Sequence, residues 1–174
     1  MPVLTVVLCP ALDPGADVFW RPTAEAALGL RGVPVVVPER ATRTAAEADD
    51  ERLRTAAWVA DQAVTITAAG VTGPLMLVSA GSANRAVPAL ALSQRASRHP
   101  VMVYVMVDGP LPQPGRGGFD WPDAPVIYVA SGAADALASE ESLGAAGLRG
   151  WSVVRGDPVE AITTIAAGWP DAMP

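Results

Sequence analysis

Six short apolar runs, separated by polar or helical stretches, constrain the fold of this chain more than any other feature. Each run is continuously apolar, which is typical of a strand buried on both faces of a parallel sheet. Strands that alternate with helices predict a sheet covered by helices on both sides, and 174 residues suit one domain. We therefore expect a single-domain α/β fold, a three-layer αβα sandwich with a mainly parallel sheet of about six strands. The predicted strands cover residues 2–9, 33–37, 75–78, 101–107, 126–130 and 151–155.

The stretches between the strands carry helical signals. Helices are predicted at about 23–30, from about 50 to 69, at 85–96, in a short segment ending near 146, and at 158–167. Pro158 suits the first turn of the last helix. The second helix repeats apolar residues at three- and four-residue spacing, which predicts the face that packs on the sheet. That predicted face consists of Leu53, Ala57, Ala60, Val64 and Ala68.

Charge and composition exclude several classes of function. The net charge of -6, with no visible basic patch, argues against a nucleic-acid surface. All twelve basic residues are arginine, which excludes a lysine Schiff base. A single cysteine, Cys9, excludes an intrachain disulfide and a cysteine-based metal cluster. No G-x-G-x-x-G or Walker pattern occurs, so no nucleotide and no cofactor is predicted.

The N-terminal residues read as a first strand and lack the basic region of a signal peptide. No apolar run approaches the roughly 18 residues that a membrane helix needs. We therefore expect a cytoplasmic protein without a membrane partner.

Ligands of parallel sheets bind at the carboxyl ends of the strands, where the strand order switches. The loops at 10–20 and 79–84 would flank such a crevice. Ser79 and Ser82 also suit turn and helix-cap positions, which is the alternative interpretation of both. The residues expected to contact a ligand are Pro10, Ala11, Trp20, Ser79, Gly81 and Asn84.

Several aspartates follow predicted strands. Asp108 ends the fourth strand, a position that suits a general acid or base, although a cap or turn role fits it equally. Carboxylates without histidine would bind Mg²⁺ or Ca²⁺ if they converged. Solvated loop acids are the interpretation that we favour, so no metal site is predicted. The aspartates concerned are Asp13, Asp17, Asp108, Asp135 and Asp157.

A series of motifs covers nearly the whole chain. An apolar run at 74–78 precedes the turn and Pro88 follows it, and the later motifs are VDGPLP at 107–112, APVIYV at 124–129, GW at 150–151 and DPVEA at 157–161. In this order they resemble the α/β-hydrolase superfamily, specifically the small-molecule hydrolases common in actinobacteria. The resemblance implies a Ser-His-Asp site, whose acid Asp135 or Asp108 would supply, and a place in bacterial secondary metabolism.

The chain departs from that pattern at the histidine and at the nucleophile. His99, the single histidine, precedes a strand and is therefore expected at the edge of the sheet opposite the crevice. Aligned without gaps, the family's serine falls on Gly81, and a shift by one residue places Ser82 there instead. We favour the first register. In a Ser-His-Asp enzyme, the loss of one of the three residues lowers the rate of hydrolysis by several powers of ten.

Only residues 109–123 stand where the family carries a helical lid. Trp121 in this short loop is expected to line an apolar pocket. An uncovered apolar face predicts a homo-oligomer or a partner protein at the site of the missing cap.

Three functions remain open from the sequence. The first is a pseudo-hydrolase that performs a cyclisation, elimination or isomerisation on a small apolar substrate, with Asp108 as acid or base. The second is a non-catalytic subunit that binds a small molecule or a partner. The third is a weak serine esterase or thioesterase that uses Ser82 and Asp135.

Overall fold

Six parallel strands form one sheet in the order β2-β1-β3-β4-β5-β6. The computed structural model describes residues 3–13, 16, 18–39, 50–113, 121–132 and 136–168, with the backbone alone at 136–139. Every pairing between neighbouring strands is parallel, as the continuous apolar runs predict. The strands are β1 (Thr5–Leu8), β2 (Val35–Val36), β3 (Leu75–Ala80), β4 (Val101–Val107), β5 (Val126–Ala130) and β6 (Ser152–Arg155).

Helices cover both faces of this sheet, so the predicted three-layer sandwich is confirmed. One buried core lies under α1 and α5, which pack side by side. The other core lies under α2, α3 and α4. None of the described helices has the length and apolarity needed to cross a bilayer. The helices are α1 (Arg21–Leu30), α2 (Glu51–Ala68), α3 (Val87–Ala96), α4 (Ala136–Leu148) and α5 (Pro158–Ala167).

The strand order switches direction at β1. This strand pairs with β2 on one side and with β3 on the other. The helices that follow β1 and β3 therefore leave toward opposite faces, α1 to one core and α3 to the other. Such a switch point opens a crevice at the carboxyl ends of the two strands.

The chain leaves the third strand later than the sequence predicts. The strand continues through Ser79 and Ala80, and a 3₁₀ segment, Gly81–Ala86, then precedes α3. The predicted helix at 85–96 is thus a 3₁₀ turn followed by an α-helix that begins at Val87. The bounds predicted for β4, β5 and α5 agree with the structure.

The predicted inner face of α2 is wrong. Leu53 is 56% exposed and Val64 is 67% exposed, whereas the helix buries Trp58, Gln62 and Ile66. These three residues lie four positions apart and form one stripe. Because Gln62 in the middle of this stripe is polar, the spacing of apolar residues does not reveal the buried face of the helix.

Candidate functional site

A pocket of about 340 Å³ lies at the carboxyl ends of β1, β3 and β4. Its volume is at the lower end of the range of roughly 300–1,000 Å³ that small-ligand sites occupy. Loops after all three strands contribute to it, as the switch point predicts. The residues that line this elbow pocket are Ala11, Asp13, Ala16, Val18, Phe19, Trp20, Ala80, Gly81, Ser82, Val107 and Asp108.

Gly81 makes the sharp bend between β3 and the 3₁₀ segment. Its φ is +59°, in the left-handed region that side chains rarely adopt. A Cβ built on Gly81 would have no heavy atom within 4 Å. A side chain at this position would therefore point into open space. Ser82, the next residue, is half-buried within the 3₁₀ segment.

Ser79 and Asn84 pair with each other inside the protein. Both are completely buried. The Ser79 hydroxyl donates to Asn84 Oδ1 over 2.7 Å, and Asn84 Nδ2 donates to the Asp108 carbonyl oxygen over 2.6 Å. This bridge joins the end of β3, the 3₁₀ segment and the end of β4. In this conformation neither side chain belongs to the lining of the elbow pocket, so their contacts support the turn.

Asp108 is held in an unusual backbone conformation at the end of β4. Its φ is +48°, and its N–H donates to the Val129 carbonyl over 2.9 Å. The Ser131 N–H donates to Asp108 Oδ1 over 2.9 Å, and the Ser131 hydroxyl donates to Asp108 Oδ2. The loop after β5 thus fixes the direction of this carboxylate.

Gly109 extends the same network. Its carbonyl oxygen accepts hydrogen bonds from the Tyr128 hydroxyl over 3.1 Å and from the Ser142 hydroxyl over 3.0 Å. Burial raises the pKa of the Tyr128 hydroxyl, a nearby Asp108 adds to the rise, and Ser142 opposes it. The backbone beside Asp108 is therefore anchored to β5 and α4.

The loop after β1 is held by α2, which lies on the face of the sheet opposite α1. Pro10 is buried and its carbonyl oxygen accepts a hydrogen bond from Trp58 Nε1 over 3.2 Å. Neighbouring Cys9 is completely buried, and this burial raises its pKa to about 12 against the opposing charge of Arg21. Ala11 and Trp20 line the elbow pocket, whereas Pro10 is absent from its lining.

Trp121 lies apart from the elbow pocket. Its ring makes edge contacts with Tyr104 at 5.5 Å and Trp151 at 5.8 Å between ring centroids, on the side of the sheet covered by α2, α3 and α4. The Tyr104 hydroxyl donates to Asp123 over 2.6 Å, and Arg95 pairs with the same carboxylate. Burial and this hydrogen bond raise the pKa of Tyr104. Trp121 thus packs against the core on this side of the sheet and does not line the elbow pocket.

His99 lies at the far end of the sheet from Asp108, as the sequence predicts. The seven residues of β4 separate the two, which at about 3.3 Å per residue is roughly 20 Å. The His99 ring is half-buried, and its Nδ1 lies 3.2 Å from Gln94 Oε1. It is also the chain's single histidine, so the elbow pocket has no imidazole of its own.

Of the other aspartates that the sequence indicates, Asp13 lines this pocket together with Asp108. Asp157 caps the N-terminus of α5 by accepting from the Glu160 N–H over 2.9 Å. Asp135 and Asp17 lie outside the described residues, and so does most of the short loop predicted in place of a lid, at 114–120. Within the described ranges, no three His, Cys, Asp or Glu side chains group as a metal site.

Some residues of the site were not predicted from the sequence. Phe19, 71% exposed, and Val107 line the elbow pocket, and Ser131 fixes Asp108. Phe19 stands beside the predicted contact Trp20, and Ser131 directly follows the fifth strand. Val107 and Ser131 stand at the ends of strands, and Phe19 stands in the loop that flanks the crevice. These positions could have indicated them as site residues.

A solved structure has the same arrangement of elements. It is a protein of Xanthomonas campestris pv. campestris, described provisionally as a hydrolase of the alpha/beta superfamily. The similarity covers 99% of this chain and 100% of that chain, with a TM-score of 0.62 and 12% sequence identity. This chain has an α/β-hydrolase-like fold. At this identity the similarity shows the fold alone, and searches with protein-family models and of curated proteins give no match.

Proposed function

We propose that this α/β-hydrolase-like protein holds a small, largely apolar molecule in the elbow pocket and performs a non-hydrolytic step on it, a cyclisation, elimination or isomerisation. The observation that carries the proposal is the conformation of Gly81. The strained bend between strand and helix is where this fold presents a nucleophile, and here that bend belongs to a residue without a side chain. A place in bacterial secondary metabolism stays a prediction of the sequence resemblance.

The surroundings of Ser82 support the same proposal. A serine becomes a useful nucleophile when a base accepts its proton. The chain's single histidine lies at the other end of β4. Ser82 lines the pocket, but within the described chain its hydroxyl makes no hydrogen bond to a base.

Asp108 is the residue that we assign as acid or base. It lines the elbow pocket, and its carboxylate is oriented by Ser131. A fixed carboxylate beside an apolar pocket can move a proton between two atoms of a bound molecule. Positioned acid–base groups contribute about 10²–10⁴ in rate.

A second candidate is a non-catalytic binding protein with the same pocket. The observation that favours it is that Ser131 already donates to both carboxylate oxygens of Asp108. A purely structural carboxylate would show the same contacts. The two candidates differ in whether Asp108 is needed for turnover or for stability alone.

A first experiment tests the absence of serine-hydrolase chemistry. The protein is treated with a fluorophosphonate probe, which labels activated serines, and labelled peptides are identified by mass spectrometry. We expect no labelling of Ser82 in the wild type, because its hydroxyl makes no hydrogen bond to a base among the described residues. Labelling of Ser82 that disappears in Ser82→Ala would return the function to serine hydrolysis.

A second experiment looks for the reaction. The protein is incubated with a bacterial metabolite extract, and masses are compared before and after. Cyclisation or isomerisation leaves the mass unchanged, elimination splits off a small molecule, and hydrolysis adds water. We expect a conversion without added water that Asp108→Asn slows by about 100-fold or more and Glu25→Gln, an exposed carboxylate change on α1, leaves intact.

A third experiment tests occupancy of the elbow pocket. The neutral fluorophore N-phenyl-1-naphthylamine is titrated into the wild type, Ala11→Trp and Ala26→Trp. Ala11 lines the pocket, whereas Ala26 is exposed on α1, so only the first tryptophan should block binding. Unchanged binding in Ala11→Trp would contradict the proposed site. Binding without any conversion by the wild type would favour the second candidate.

A further inference from the structure

A second cavity of about 700 Å³ lies between α2 and α3, and the proposed function does not use it. Apolar side chains from both helices line part of it. Val59 and Ala60 contribute from α2, and Pro88 and Ala89 from α3. A cavity of this size and lining suits the body of a small organic molecule.

Charged side chains stand at one end of this groove. Arg52 from the first turn of α2 and Arg85 from the 3₁₀ segment both line it, together with Glu51. Glu51 Oε1 lies 3.6 Å from Arg85 Nη1, and the two side chains are 61% and 52% exposed. An exposed pair at this distance is weak. The Arg52 side chain has no acidic partner within the described chain.

The balance of these three charges favours one kind of ligand head. Among the described residues that line the groove, two guanidinium groups and one carboxylate give a net charge of +1. The nearby Asp50 carboxylate caps the first turn of α2, where it accepts a hydrogen bond from the Arg52 N–H over 2.8 Å. Guanidinium groups bind carboxylates through paired, charge-assisted hydrogen bonds. A monoanion complements this balance, whereas a cation or a neutral head leaves the extra guanidinium without a partner.

We propose that the groove between α2 and α3 binds a small amphipathic carboxylate. The carboxylate lies against Arg52 and Arg85, and the acyl or aryl body lies over Val59, Ala60 and Ala89. This proposal rests on the charges and the lining of the groove, and it stands independently of the reaction proposed for the elbow pocket.

The test compares three probes of the same chain length and different head charge. Octanoate, octanol and octylamine are titrated into the full protein by calorimetry. We expect octanoate to bind about tenfold more tightly than the other two, because only its anionic head forms charge-assisted hydrogen bonds with the guanidinium groups. Equal affinities for octanoate and octanol, or no octanoate binding up to millimolar concentration, would overturn the proposal.

Variants locate the site. Arg52→Gln and Arg85→Gln should each weaken octanoate binding about fivefold to tenfold, while Arg98→Gln, an exposed arginine after α3, should change nothing. Ala60→Trp should block the groove, and Ala68→Trp, on an exposed position of the same helix, should not. Unfolding curves confirm that each variant is folded.

The elbow pocket gives the last control. Ala11→Trp fills that pocket and should leave octanoate binding unchanged. If Ala11→Trp abolishes octanoate binding and the arginine variants do not, the carboxylate site between α2 and α3 is refuted and the elbow pocket is its binding site.

Discussion

A side chain on Gly109 would collide with the backbone of Gly81. A Cβ built at Gly109 would lie 2.5 Å from the Gly81 Cα and 2.8 Å from its carbonyl carbon. The turns after β3 and β4 therefore touch, backbone against backbone, at Gly81, which lines the elbow pocket. Both turns are fixed in position by this contact.

Replacing Gly109 should consequently cost more than its backbone angle explains. Gly109 has a φ of +74° and Gly132 one of +76°, but a Cβ at Gly132 would meet nothing within 4 Å. Left-handed backbone costs an alanine about 1–2 kcal/mol. We expect Gly132→Ala to lose about that much and Gly109→Ala at least ~3 kcal/mol, measured by urea unfolding. Equal losses would show that the close approach relaxes easily.

A cysteine can report which way the elbow bend points. The native thiol Cys9 is completely buried with a pKa of about 12, so it should not react with iodoacetamide at pH 8. Gly81→Cys should add one reactive thiol, because its Cβ direction is open, and Ser79→Cys should add none, because that site is buried. Reaction at Ser79→Cys in folded protein would contradict the described geometry. Intact-mass spectrometry counts the alkylations.

The buried bridge through Asn84 should respond differently to two substitutions. Asn84→Ala leaves the Ser79 hydroxyl and the Asp108 carbonyl without partners, which should cost about 2–4 kcal/mol of unfolding free energy. Ser79→Ala removes only the donor to Asn84, and about 1 kcal/mol is expected. A double variant that loses no more than Asn84→Ala alone would show that the bridge acts as one unit.

Gln62 is a candidate for stabilisation. It is completely buried, and neither its amide nitrogen nor its amide oxygen has a hydrogen-bond partner within the described chain. Burying unpaired polar atoms costs about 1–3 kcal/mol. Gln62→Leu should therefore raise the urea midpoint by an amount equivalent to about 1 kcal/mol or more. A lower midpoint would indicate that the amide is satisfied by an internal water.

The two tyrosines of the chain give a pH-dependent prediction. Burial raises the pKa of both Tyr104 and Tyr128 above the ordinary value of 10. The neutral hydroxyls then favour the folded state, and stability is lost as the pH rises above 10, because the unfolded chain releases these protons more easily. Absorbance at 295 nm should rise only together with the loss of circular dichroism. A tyrosinate signal at pH 10 with the fold intact would contradict this prediction.

Continuous apolar runs made most of the fold predictable. β4 and β5 are bounded by Pro100, Asp108, Pro125 and Ser131, residues that interrupt an apolar run, and the predicted bounds of both strands hold. The inner face of α2 was not predictable in the same way, because Gln62 occupies a core position. Periodicity recognises a buried residue only when it is apolar.

The candidate site was predictable in its location and less so in its side chains. The loops after β1, β3 and β4 form the elbow pocket, as parallel topology requires. Ser79 and Asn84 look like polar contacts in the sequence, yet they hydrogen-bond to each other inside the protein. A single sequence does not reveal pairs of polar residues that satisfy each other, because each alone suggests exposure.

The all-parallel sheet has a consequence for the nascent chain. One of the two neighbours of β1 is synthesised well after it, since Thr5 pairs with Leu75 in the register of β1 and β3. Protein synthesis adds about 5–20 residues per second. For several seconds, therefore, the edge of β1 that pairs with β3 has no partner strand. During translation the unpaired backbone N–H and C=O groups on that edge are therefore open to pairing with another chain.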